Sequence, residues 1–212
     1  MQIRTLPPCI GILLAGGLAR RFGGGDKGLQ LIGGRPMLGH AIDRLGPQSD
    51  GLILNANGDK ARFASFGLPV IGDSIAGFPG PLAGILAGME WVAANRPDHP
   101  WIVTAGTDYP FLPLDLVDRL TAQLRTTDVE IVLASSAGRL HPVIGIWPVA
   151  QRDDLRRAIE VEGLRKVEAW TGRYKAAVVD FPADLYDPFF NVNTPDDLLK
   201  AEAIFAQIRR GS

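Results

Sequence analysis

The chain has 212 residues, with 22 lysines and arginines against 23 aspartates and glutamates, so its formal net charge is −1. This balance excludes a strongly basic nucleic-acid-binding protein, and we expect no nucleic-acid partner. A hydrophobic content of 46% predicts a globular protein, and the length favours one domain spanning 1–212. The only cysteine, Cys9, excludes an intramolecular disulfide and a zinc site built from cysteines.

The N-terminal sequence argues against membrane insertion and secretion. The apolar run Cys9–Ala15 is far shorter than the ~18 residues that a membrane helix needs. Pro7 and Pro8 interrupt the stretch in which a signal peptide would lie. We therefore predict a cytoplasmic protein with no membrane contact.

Strand and helix patterns alternate along the first part of the chain. Continuous apolar runs predict strands that are buried on both faces, and apolar residues spaced by three or four predict helices. The predicted strands are Cys9–Ala15, Leu52–Leu54, Val70–Ile71, Trp101–Ala105 and Val129–Ala134. The predicted helices are Pro36–Leu45, one with its apolar stripe over Leu82–Met89, and Pro113–Leu124.

The C-terminal part continues the alternation less regularly. Its predicted strands are Val143–Trp147 and Ala176–Val179, and its predicted helices are Leu155–Ile159, Leu164–Trp170 and one that begins at Pro195, with Asn193 or Thr194 as its cap. This order predicts an α/β fold with a mostly parallel sheet between two helical layers. Ligands then bind beyond the carboxyl ends of the strands, in the loops after Ala15, Leu54, Ile71 and Ala105.

The loop after the first strand has the composition of a phosphate site. It reads LAGGLARRFGGGDKG from Leu14 to Gly28. Its glycines allow backbone N–H groups to approach an anion, and Arg20, Arg21 and Lys27 supply positive charge, with the choice between the two arginines left open. Two common motifs fit poorly: a G-x-G-x-x-G match begins far from the strand, and a P-loop requires Ser or Thr after the lysine. The alternative explanation is a glycine-rich surface loop with incidental basic residues.

The same loop resembles the signature of nucleotidyltransferases with a Rossmann-like α/β fold, and its form is most similar to the molybdenum cofactor guanylyltransferase family. Further segments resemble that family in the same order, from about Ile10 to Leu199. They are Asn55–Asn57, Asp73–Ser74, the PGPLAG segment of Pro79–Gly84, Thr107–Pro110, His141–Val143 with Trp147, and Phe190–Leu198. Each segment alone is unspecific, whereas the ordered set is specific.

The resemblance implies a Rossmann-like three-layer sandwich, similar to the nucleotide-diphospho-sugar transferases. The implied reaction transfers GMP from GTP to molybdenum-molybdopterin, with Mg²⁺, and releases pyrophosphate. The implied catalytic residues are Lys27, Asp108 and Arg21, with Asp108 as the Mg²⁺ ligand. An aspartate after a strand and before Pro110 is also common in turns and helix caps, which is the competing explanation for Asp108.

The resemblance also assigns binding residues. The backbone at Leu14, Ala15, Gly16 and Gly17 would hold phosphates, together with Lys27 and Asp108. Asn55 and Asp73 would contact the nucleoside, although turn chemistry explains either residue alone. Asn191 and Asn193 would line the pterin side. Implied partners are GTP, the molybdopterin-type cofactor and, transiently, acceptor molybdoenzymes or their chaperones.

Two alternatives stay open at the level of sequence. One is a cytidylyltransferase of the same fold that acts on molybdopterin or on a sugar-alcohol phosphate. The other is a non-catalytic protein that binds nucleotide or cofactor and delivers it. Preference for CTP over GTP would favour the first, and activity that survives loss of the Asp108 carboxylate would favour the second.

Overall fold

The computed structural model of the protein describes residues 7–16, 26–77 and 80–211. Within these ranges the strands are β1 (Cys9–Leu14), β2 (Leu31–Ile32), β3 (Arg35–Pro36), β4 (Leu52–Asn55), β5 (Val70–Ile71), β6 (Trp101–Gly106), β7 (Ile131–Ser136), β8 (Arg139–Pro148) and β9 (Ala176–Phe181). The helices are α1 (Met37–Leu45), α2 (Pro81–Asn95), α3 (Leu116–Thr126), α4 (Arg152–Glu160), α5 (Val167–Thr171) and α6 (Pro195–Gly211). Short 3-10 helices at Lys27–Leu29 and Lys60–Phe66 flank the strands that form the site.

The described chain forms a central sheet of seven strands in the order β5-β4-β1-β6-β8-β7-β9. Strand β8 runs antiparallel to both of its neighbours, and the other pairings in the sheet are parallel. A two-residue turn explains the reversal, because Ala137 and Gly138 both have positive φ (48° and 72°) between the paired residues Ser136 and Arg139. Turns with two positive φ values match the twist of a hairpin and return the chain beside β7.

Helices cover both faces of this sheet. Leu13 of β1 faces a core shared with α1 and α3, whereas Ile12 faces a second core shared with α2, α4 and α5. Burial on both faces explains why β1 is continuously apolar. A smaller cluster joins α6 to the β2–β3 hairpin through residues that include Ile32 and Ala201.

The predicted three-layer α/β fold is confirmed, and each predicted strand corresponds to a strand of the structure. Three local predictions were wrong. The β2–β3 hairpin was missed, the helix assigned from Pro113 begins at Leu116, and the helix assigned to Leu164–Trp170 is only Val167–Thr171. The assignment of 1–212 to one domain stays a prediction. None of the described helices is long and apolar enough to cross a membrane.

Candidate active site

An open cleft of about 870 Å³ lies beyond the carboxyl ends of β1, β4, β5 and β6. These parallel strands end at the same edge of the sheet, which is where ligands bind in open α/β folds. The walls of the cleft include the predicted site residues Leu14, Ala15, Gly16, Asn55, Asp73, Asp108 and Asn191. Lys27 lies in a recess that shares Ala15, Gly16 and Asp108 with the cleft. The remaining predicted phosphate contacts, Gly17 and Arg21, lie outside the described residues, as does Arg20.

Lys27 lies between two oxygen atoms that come from distant parts of the chain. Its Nζ donates to Asp108 Oδ2 and to Asn193 Oδ1, each at 2.6 Å. Asp108 follows β6, whereas Asn193 lies two residues before the start of α6. The Lys27 and Asp108 side chains are only 16% and 15% exposed, so water screens their ion pair less than it would at the surface. The chain thus holds a cation where a carboxylate and an amide oxygen converge.

Close backbone packing fixes this arrangement. A Cβ atom at Gly28 would lie 2.7 Å from Thr107 Oγ1, so only glycine lets the Lys27 turn rest against the residue after β6. On the other side, Val192 N donates to the backbone oxygen of Asp108 at 3.1 Å. This bond brings the segment that carries Asn193 to Asp108. The three side chains therefore meet because three separate loops pack around the end of β6.

A second polar group lies where β4 and β5 end. Asp73 accepts hydrogen bonds from Asn55 Nδ2 at 3.0 Å and from Asn57 Nδ2 at 2.7 Å. Asn57 Oδ1 in turn accepts from the backbone N–H of Asp73 at 2.8 Å. Gly84 of α2 makes room for the buried Asn55, because a Cβ there would lie 2.4 Å from Asn55 Oδ1. Both predicted nucleoside residues thus belong to one preorganised cluster.

The cleft also has a neutral polar wall formed by Tyr109 and Asn191. Burial, and next the charge of Asp108, raise the pKa of Tyr109 to about 12, although a hydrogen bond with the Asn191 side chain opposes this shift. The tyrosine hydroxyl is therefore neutral at physiological pH. Asn191 Oδ1 is buried and accepts no hydrogen bond from the described residues. A buried acceptor without a partner is costly, so this atom is suited to a ligand N–H or O–H donor.

Comparison with known proteins identifies the family. A model of the MobA-like NTP transferase domain matches residues 11–177. The chain belongs to this family. It is 56% identical over 204 residues to the molybdenum cofactor guanylyltransferase of Rhodopseudomonas palustris (strain BisB5), and the match covers 96% of this chain and 97% of the relative.

Solved structures of low sequence identity share the MobA-like fold. The molybdopterin-guanine dinucleotide biosynthesis protein A of Archaeoglobus fulgidus superposes with a TM-score of 0.71 at 23% identity, over 94% of this chain and 99% of that one. A Mycobacterium tuberculosis protein solved as a complex with manganese superposes with a TM-score of 0.66 at 19% identity, over 92% and 98% of the two chains.

The cleft at the strand ends also contains residues that the sequence did not identify as site residues. Asp26 and Arg62 both line it and form an ion pair, with Arg62 Nε 2.5 Å from Asp26 Oδ2. Asp26 directly precedes Lys27, which could have drawn attention to it. Arg62 lies in a short helix between β4 and β5 and carries no local sequence signal.

Proposed function

We propose that this chain transfers GMP from GTP to molybdenum-molybdopterin, forming the molybdopterin guanine dinucleotide cofactor and pyrophosphate. The observation that carries the chemistry is the position of Lys27 between Asp108 and Asn193 beside a cleft at the strand ends. The near-full-length similarity to a protein named molybdenum cofactor guanylyltransferase supports the choice of substrates.

In the proposed step a terminal phosphate oxygen of the pterin substrate attacks the α-phosphorus of GTP. A new P–O bond forms there, the bond to the bridging oxygen of the β-phosphate breaks, and pyrophosphate leaves with that electron pair. Two anions must meet, so the protein has to neutralise charge and align the attack. The Lys27 ammonium would offset this charge together with Arg21, while the backbone at Gly16 and Gly17 would donate to phosphate oxygens.

Asp108 is the proposed Mg²⁺ ligand. Its carboxylate and the Asn193 amide oxygen already converge on one cationic atom, Lys27 Nζ, and hard oxygens are the ligands that Mg²⁺ prefers. No group of three or more His, Cys, Asp or Glu side chains suited to a metal occurs among the described residues, which suits an ion held by one carboxylate and substrate phosphates. The manganese complex of the mycobacterial neighbour supports a divalent ion. When bound, the ion would stabilise charge on the phosphate oxygens.

The cluster at the ends of β4 and β5 is the proposed nucleoside site. Guanine presents N1–H and N2–H₂ donors on one edge, and the Asp73 carboxylate can accept more hydrogen bonds than the two from Asn55 and Asn57. We assign the pterin to the opposite wall, where Asn191 Oδ1 is available to a donor and Asn193 lies beside Lys27.

A combined binding and turnover experiment tests this function. Calorimetry with GTP, CTP, ATP and UTP in the presence of Mg²⁺ should show the tightest binding for GTP. Asp108→Asn should lower kcat for GMP transfer at least about 100-fold, because it removes the charge that holds the metal. Asp128→Asn serves as the control, since Asp128 pairs with Lys175 and is not among the described cleft residues. Circular dichroism checks that both variants fold.

Each alternative predicts a different result. Preference for CTP would replace the guanylyl assignment by a cytidylyltransferase. Unchanged transfer by Asp108→Asn, or nucleotide binding without transfer by the wild-type chain, would favour a delivery protein. Transient contact with an acceptor molybdoenzyme or its chaperone is part of the proposal, and co-purification with an apo-enzyme tests it.

A further inference from the structure

Asp26 poses an electrostatic problem in the proposed nucleotide site. Its carboxylate lines the same cleft as Asp108, and it directly precedes Lys27, the residue assigned to the phosphates. A triphosphate that reaches Lys27 must pass close to this negative charge. Like charges in a partly buried site repel one another strongly, so an uncompensated Asp26 would oppose nucleotide binding.

Arg62 compensates this charge with a two-point ion pair. Its Nε donates to Asp26 Oδ2 at 2.5 Å, and its Nη2 donates to Asp26 Oδ1 at 3.3 Å. The Arg62 and Asp26 side chains are 28% and 21% exposed, so the pair is shielded more than an ordinary surface pair. Bidentate pairing fixes orientation as well as charge, and the compact lysine ammonium cannot reproduce it.

Further contacts hold Arg62 in place. Its Nη2 donates to the backbone oxygen of Asn57 at 2.7 Å, and its Nη1 donates to the backbone oxygen of Asp59. Its guanidinium carbon lies 4.5 Å from the ring centre of Phe63, which is buried. Arg62 therefore joins the Lys27 turn to the loop after β4, whose Asn57 side chain donates to Asp73.

We propose that Arg62 is a positioning residue for the nucleotide: it neutralises and orients Asp26, and so allows the triphosphate to approach Lys27. This role rests on the proposed function, because it concerns the phosphates of a bound nucleoside triphosphate. It differs from a purely structural bridge in one measurable respect. Loss of Arg62 should weaken the binding of a ligand in proportion to the phosphate charge of that ligand. Removal of the Asp26 charge should then restore the affinity.

The test is a double-mutant cycle of Arg62 and Asp26. The affinity of each variant for GTP and for GMP is measured by calorimetry in the presence of Mg²⁺. Arg62→Met should weaken GTP binding about tenfold and GMP binding less, since an unpaired Asp26 then faces the phosphates. Asp26→Asn combined with Arg62→Met should restore the Kd for GTP to within about threefold of that of Asp26→Asn alone. Arg62→Lys should fall between the wild-type chain and Arg62→Met, because charge remains without the bidentate geometry.

A matched control separates this effect from a general loss of stability. Arg35 also forms a two-point pair, with Asp43, but neither residue is among those lining the described cleft. Arg35→Met should leave the Kd for GTP unchanged. Thermal unfolding of every variant identifies any that does not fold, in which case Arg62→Lys carries the comparison.

Each outcome has a distinct meaning. If the wild-type chain binds no nucleoside triphosphate, the proposed function and this role are both overturned. If the wild-type chain binds GTP and Arg62→Met binds it equally well, only the role of Arg62 is overturned. The same conclusion follows if the double variant stays as weak as Arg62→Met, or if GMP and GTP lose affinity equally.

Discussion

Lys27 is the residue proposed to offset the negative charge of the substrate phosphates. Its ammonium pairs with Asp108, the carboxylate assigned to the metal. A divalent ion that arrives alone must therefore compete with an existing cation. Phosphates provide another partner for the ammonium, so nucleotide and metal should bind together.

This competition predicts an unusual effect of a loss-of-function variant. Lys27→Met should bind Mn²⁺ about tenfold more tightly than the wild-type chain when nucleotide is absent, because the competing charge is gone. Electron paramagnetic resonance of free Mn²⁺ measures this directly. Lys27→Met combined with Asp108→Asn should lose the gain. Equal Mn²⁺ affinity in Lys27→Met and the wild-type chain would contradict the competition.

His141 belongs to a hydrogen-bonded network with Ser136 and Asp187. Ser136 donates to Asp187 Oδ1 at 2.6 Å, so at 2.8 Å it accepts from His141 Nε2–H. The serine proton thus points to the aspartate and not to the histidine, so His141 does not act as a base towards Ser136 in this arrangement. Asp187 Oδ1 also accepts from the backbone N–H of Phe189, so this network fixes the segment that leads to Asn191.

Burial is the main cause that lowers the pKa of His141; Asp187 opposes the shift and Arg139 reinforces it. The unfolded chain therefore binds more protons than the folded chain once the pH falls below about 6.5. We expect the free energy of unfolding to decrease from that pH downward, until the folded histidine is protonated. Urea unfolding between about pH 5.5 and 7.5 should show this slope in the wild-type chain and a flatter one in His141→Gln. Equal slopes in the two proteins would contradict it.

Among the elements, α6 begins beside the candidate site, next to the residue that contacts Lys27. Asp197 N donates to Thr194 Oγ1 at 3.1 Å, and Asp197 Oδ2 accepts from Thr194 N at 3.0 Å. The same carboxylate oxygen accepts from Asn193 N at 3.1 Å. Of the two predicted cap candidates, Asn193 and Thr194, it is Thr194 that caps the helix, and the contacts of Asp197 fix the backbone of Asn193, which contacts Lys27.

Loss of the cap should destabilise the protein measurably. Thr194→Ala should lower the free energy of unfolding by about 1 kcal/mol, because an orphan N–H of the helix loses its acceptor. Urea unfolding measures the change. Thr126→Ala is the control, since Thr126 ends α3 and its Oγ1 donates to a carbonyl of its own helix instead of accepting from a helix N–H. A similar decrease in the free energy of unfolding of both variants would mean that the Thr194 cap makes no specific contribution to stability.

Elements with a clear hydrophobic pattern were predictable from the sequence, and elements whose position depends on distant contacts were not. β1 is apolar throughout because both of its faces are covered, so its pattern is visible in the sequence. β2 and β3 are two residues each, which is too short for any periodicity. The direction of β8 depends on the turn at Ala137 and Gly138, which its alternation does not encode.

At the scale of the whole molecule, topology explains which site residues could be predicted. Asn55 ends β4, and Asp73 and Asp108 follow β5 and β6. These strands run in the same direction in one sheet, so one rule about strand ends brings the three residues together. The contacts of Lys27 with Asn193 and of Asp26 with Arg62 obey no such rule. They join loops that meet only through three-dimensional packing, and no local pattern in the sequence records them.

The contact between Lys27 and Asn193 spans 166 positions of the chain. At typical translation rates of roughly 5–20 residues per second, about 8–33 s separate the synthesis of the two residues. Asn55, Asp73 and Asp108 have left the ribosome before Asn193 is made. A nascent chain therefore carries a lysine that lacks one of its two oxygen partners, and the candidate site is complete only after Asn193 has been made.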